Sequence, residues 1–133
     1  MSKEPKSLVP ADPMRLTPAW RISKLEMVDP FGWHRIEAAK LEEVRQKLAH
    51  FEAMTWQEIL VSSGHRNHAV AIDRICDVAV DRLEEIGQGD TEELVSLRLS
   101  GPERVWGIRT GNVFMVLWWD PEHAVCPALL RHT

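Results

Sequence analysis

Seven consecutive apolar residues, Val113-Phe114-Met115-Val116-Leu117-Trp118-Trp119, lie between Gly111-Asn112 and Asp120-Pro121. A run of that length, bounded by turn residues and rich in β-branched and aromatic side chains, reads as a strand. Its lack of polar alternation predicts a central place in a sheet. Two neighbours flank it in sequence. Leu94 to Leu99 alternates as a strand, Ser100-Gly101-Pro102-Glu103 is a turn, and Arg104 to Arg109 is a second strand. Thr110-Gly111-Asn112 is a tight connection of hairpin type. A short extended piece around Ala124-Val125 completes a three- to four-stranded antiparallel meander.

Upstream the period lengthens to that of helices. Ile36, Leu41, Val44, Leu48 and Phe51 recur at helical spacing and predict a helix from about 34 to 51. Thr55-Trp56-Gln57-Glu58 has the capping-box form, in which the Thr oxygen accepts from the backbone three residues on and the Glu reaches back. A short helix over about 55–62 follows, with Trp56, Ile59 and Leu60 inward. His65-Arg66-Asn67-His68 reads as a polar loop. Ile72, Ile75, Cys76, Ala79, Leu83 and Ile86 form a stripe that predicts a helix from about 70 to 86, stopped by Gly87 in a left-handed conformation. Residues 1–19 hold four prolines and read as a flexible N-terminal arm, leaving 20–133 as a single domain. Residues 20–28 are either a first strand or an extended segment on the core, with Trp20, Ile22 and Val28 available for burial. The order predicts an α+β fold, with N-terminal helices packed on one face of the meander.

Composition removes several classes. No apolar run approaches the roughly 20 residues needed to span a bilayer. The start, MSKEPKSLVPADP, lacks the apolar core of a secretory signal. Cys76 and Cys126 are too few for a disulfide framework. These features predict a soluble cytoplasmic protein without membrane contact. The net charge is −4, carried by residues 34–96 at −6, whereas residues 97–133 have a net charge of +1. An acidic chain argues against non-specific nucleic-acid binding but leaves room for a local basic face.

The block SLRLSGPERVWGIRTGNVFMVLWWDPEHAVCPALLRHT, residues 96–133, resembles a signature shared by short bacterial proteins: an SLRLSG strand, an R-x-WGIR strand, an LWWDPEH strand end and a basic-His-Thr terminus. The likeness extends more weakly through MTWQEI (54–59), HxxHA (65–69) and RLEEI (82–86). The order of helices followed by a meander is also similar to the RelE/ParE superfamily of bacterial toxins. That resemblance implies a RelE/ParE-like fold and the toxin half of a toxin–antitoxin pair. It further implies a cognate antitoxin, RNA or the ribosome as partners, and an endoribonuclease of the mRNA-interferase type. This chain departs from the superfamily in its acidity and in having no Tyr. If it is a RelE-like nuclease, its acid/base is therefore histidine.

The residues suited to such chemistry concentrate after position 96. Arg104 and Arg109, at the two ends of one strand, and Arg98 on the preceding strand are expected to bind phosphate with paired hydrogen bonds. His123 is the candidate acid/base, because imidazole titrates near neutrality. Trp119 is a candidate stacking surface for a base, if Trp118 on the opposite strand face is the core residue. Arg131 and His132 extend the basic end. The competing reading has these side chains satisfied internally, so that the block is a folding signature of a non-enzymatic binding or structural protein. His65, His68, His123, Cys126 and His132 are zinc-ligand types, but their spacing lacks the paired sulfurs of a structural site. No metal or cofactor is therefore expected. Cys76 reads as a small core residue.

Overall fold

A computed structural model describes residues 12–64 and 66–127. The continuously apolar strand forms as β5 (Val113–Asp120), together with β3 (Glu93–Arg98) and β4 (Arg104–Thr110), and it lies inside the sheet although β4 holds the centre. Two further strands extend this meander. β1 (Ala19–Arg21) runs parallel to β5, and β2 (His68–Ala71) pairs antiparallel with β3. The result is a five-stranded mixed sheet in the order β1-β5-β4-β3-β2, rather than a purely antiparallel one. The fold class is α+β. Residues 124–125 add no strand; they belong to a turn after β5.

Helices α1 (Ala38–Phe51), α2 (Trp56–Leu60) and α3 (Asp77–Glu85) cover both faces of the sheet, not one. Val44, Phe51, Trp56 and Ile59 of α1 and α2 pack with Val105, Phe114 and Trp119. Ala79 and Leu83 of α3 pack on the other face with Trp106, Leu117 and Trp118. Two covered faces explain why β5 is continuously apolar. They also explain why Trp118 and Trp119 are both buried, at 0% and 5% exposure. Leu117 is an extra residue on β5, since Trp106 faces Trp118 while Gly107 faces Val116. Gly107 is required at that bulge: a Cβ there would collide with the carbonyl of Met115 and the ring of Phe114.

The capping box at α2 forms as read, with Glu58 N donating to Thr55 Oγ1 at 3.2 Å and Thr55 N donating to Glu58 Oε1 at 2.8 Å. Gly87 also takes its expected role, with φ 79°. The amides of Gly87 and Gln88 turn back to the carbonyls of Glu84 and Leu83, which closes α3. The helix expected over 70–86 is shorter at its start. Val70 and Ile72 alternate as well as they repeat helically, and pairing with β3 takes His68–Ala71 into the sheet. A 3-10 turn over Ile72–Arg74 then leads to α3. Of the apolar residues expected inward at the start of the domain, Trp20 is half-buried, but Ile22 and Val28 are exposed.

Candidate functional site

The predicted site residues do not form one open constellation. Arg98, Arg104 and Asp120 do share a row, because Arg98 faces Arg104 across β3–β4 and Arg104 faces Asp120 across β4–β5. Arg104 is half-buried, with Nη1 donating to the carbonyls of Gly101 at 2.7 Å and Glu103 at 3.0 Å. Its Nε is buried without a hydrogen-bond partner among the described residues. Burial lowers its pKa, the neighbouring Arg98 charge lowers it further, and Asp120 partly opposes both.

Arg109 lies an odd number of positions from Arg104, so it points to the opposite face. There its guanidinium sits 5.5 Å from the ring centroid of Trp56, and its Nη1 donates to Gly111 O at 2.7 Å. The expected convergence of Arg104 and Arg109 is therefore corrected by strand parity. Trp119 offers no open ring for stacking, because it packs against Trp33 with centroids 5.8 Å apart. His123 is 4% exposed, takes φ 59°, and leaves Nδ1 buried without a hydrogen-bond partner among the described residues. Such a conformation is uncommon for a side chain other than glycine. Its burial removes it from any open face shared with the arginines. Arg131, His132 and His65 lie outside the described residues. Among the described residues, no group of three His, Cys, Asp or Glu side chains is placed to hold a metal.

Asp120 is the structural anchor of this end. Its carboxylate accepts from Trp106 Nε1 at 3.0 Å, Ala124 N at 2.8 Å and Val125 N at 3.0 Å. Trp118 Nε1 donates in the same manner to buried Glu26, which also receives both nitrogens of a forked contact from Arg82 at 2.8 and 2.7 Å. The indole N–H groups of Trp106 and Trp118 thus each have a carboxylate partner.

Arg98 leads to a different place. Beyond its row opens a cleft of about 540 Å³ between the end of α1, the α2–β2 connection and the β3–β4 turn. Lys47, His50, Arg66 and Arg98 line it, and no carboxylate does so among the described residues. All four are exposed, and none forms an ion pair among the described residues. Lys40, about two turns before Lys47, differs: it is held by Glu43 at 2.8 Å and Glu103 at 2.9 Å. Asn67 sets the wall of the cleft. β2 begins pairing at His68, so the amide of Arg98 has no strand partner, and Asn67 Oδ1 accepts it at 2.8 Å. Asn67 Nδ2 donates to Ile59 O at 3.2 Å, which ties α2 to β3.

The sequence reading placed only Arg98 here. Lys47 and His50 carry a faint signal, since a spacing of three puts them on one helix face. Arg66 carries none, because the approach of the α2–β2 connection to α1 is a tertiary fact. Compared with known proteins, the chain matches no family model, no curated protein and no solved structure.

Proposed function

We propose that this protein binds a phosphate-bearing polymer, single-stranded RNA in the first instance, in the cleft of Lys47, His50, Arg66 and Arg98. One observation carries the reading: Lys47, Arg66 and Arg98 line one cleft, without an ion pair or a lining carboxylate among the described residues, in a chain whose net charge is −4. Lysine and arginine side chains placed in this way replace the counterions of a phosphate backbone, so affinity falls as salt rises. The role is binding, not cleavage, because His123 is buried and Arg109 faces away from Arg104. The burial of Trp106, Trp118, Trp119 and Asp120 agrees with a C-terminal block that serves folding.

Fluorescence anisotropy with a labelled single-stranded RNA tests this. Wild type is expected to bind more weakly at about 200 mM than at about 50 mM salt, and Lys47→Ala with Arg98→Ala to reduce both affinity and salt slope. Equal binding by wild type and the double variant sinks the proposal.

A second reading has its own support. The chain order is β1, α1, α2, β2, α3 and then the meander β3 to β5, with β1 returning beside β5. A strand and two helices ahead of a meander is the part of this order that resembles the RelE/ParE toxins, and β2 with α3, inserted before the meander, departs from it. On this reading the protein is a toxin-type member acting on RNA or the ribosome, held by a cognate antitoxin. Expression in a host without antitoxin should then arrest growth and translation. Unaffected growth and translation remove it.

A further inference from the structure

The chain's two cysteines are far apart in sequence and together in the fold. Cys76 is the residue just before α3, and Cys126 lies in the turn after β5. The amide of Cys76 donates to Val125 O at 2.8 Å. Standard backbone dimensions then leave the two cysteine Cα atoms within about 7 Å, close to the span of a disulfide. Cys126 Sγ points at this same segment, since it lies 3.2 Å from Arg74 O. Cys76 packs against the core cluster that contains Cys126. Neither forms a disulfide among the described residues, and Cys76 is half-buried while Cys126 is buried.

We propose that Cys76 and Cys126 are an oxidisable dithiol that takes small-molecule disulfides such as oxidised glutathione and closes to an intramolecular disulfide. Cys76, the more accessible sulfur, attacks first as its thiolate. A bond from Cys76 to glutathione forms, the glutathione S–S bond breaks, and one glutathione thiolate leaves. Cys126 then loses its proton and attacks the Cys76 sulfur. The protein disulfide forms and the second glutathione thiolate leaves. The protein loses two electrons, the small disulfide gains them, and the two thiol protons pass through solvent to the released thiolates.

The bond would join the start of α3 to the turn that Asp120 anchors, closing a long loop of chain. A cross-link there restricts the unfolded chain and raises the melting temperature. It lies on the α3 face, whereas the basic cleft is lined by α1 and the α2–β2 connection. The dithiol stands independently of the RNA reading.

Intact mass and thiol counting after acid quench and unfolding, across a glutathione redox series applied to the folded protein, test the proposal on the full chain. The expected oxidised species is a monomer about 2 Da lighter, without countable thiols, and restored by reductant. Its Cys76 and Cys126 peptides are joined, and its melting temperature is higher by about 5 °C or more. Cys126→Ser should instead stop at a stable glutathione adduct on Cys76. Two thiols that survive oxidation in the folded wild type overturn the proposal. So does a wild type that stops at the Cys76 adduct, or one that links only between molecules. The wild-type measurements decide it even if Cys126→Ser folds poorly.

Discussion

Around Asp120 the polar groups look inward, whereas across the same row of the sheet Arg98 and its neighbours look outward. Asp120 is 1% exposed and accepts three hydrogen bonds. Lys47, His50, Arg66 and Arg98 are exposed around a cleft with no lining carboxylate among the described residues. Both regions are built from residue types that bind charge. The difference lies in whether a partner is supplied by the fold. A buried group must find its partner within the protein, because an orphan costs about 1–3 kcal/mol. An exposed cation has water instead and stays available to a ligand.

That contrast breaks first at Asp120. Asp120→Ala would strand the Trp106 indole N–H and two backbone amides, and a loss of about 4 kcal/mol is expected by denaturant melting. A loss below about 1 kcal/mol would mean that the inward network is not the anchor described here. Asn67 lies between the two regimes, since it is buried yet shapes the cleft. Asn67→Ala should cost about 2 kcal/mol and also weaken RNA binding, read as a lower melting temperature and a reduced anisotropy change. Arg98→Ala should change stability by no more than about 0.5 kcal/mol while lowering the salt slope of RNA binding by about 1. A large stability loss there would place Arg98 with the inward group.

The smallest expected effect lies on the exposed face of α1. Hydrogen bonds from Arg45 and then Gln46 hold the Glu42 carboxyl at about 2, below its usual 4.5. A depressed carboxyl favours the folded state above pH 4.5. That contribution fades as pH falls through about 2. Because Glu42 is solvent-exposed, the effect should be seen in its own NMR titration and barely in global stability. A titration midpoint at the usual value would show that the Arg45 contact is not held in solution.

Local patterns read from the sequence were borne out where one face or one turn decided the outcome. The Thr55–Glu58 box and the Gly87 stop are such cases, because each needs only its own neighbours. Two meander strands followed from their alternation, the third from its unbroken apolar run, and the turns between them set their bounds. The start of the third helix was misread because Val70 and Ile72 suit either period, and only β3 selects between them. Trp119 was read as open because the sequence does not say that a second helical layer covers its face.

The site divides in the same way. The parity of Arg104 and Arg109 was already present in their spacing, as was the burial pressure on the Trp118-Trp119 pair. Sequence alone thus determined the strand core, the helix caps and the concentration of tryptophan and arginine near the C-terminal end. The tertiary structure decided which of those side chains face water. It closed β1 against β5, brought Lys47, His50 and Arg66 to Arg98, and set Cys76 beside Cys126. Each of these is a contact between segments distant along the chain. Such contacts are set by how layers pack over both faces of the sheet, a constraint with no local period for a sequence to display.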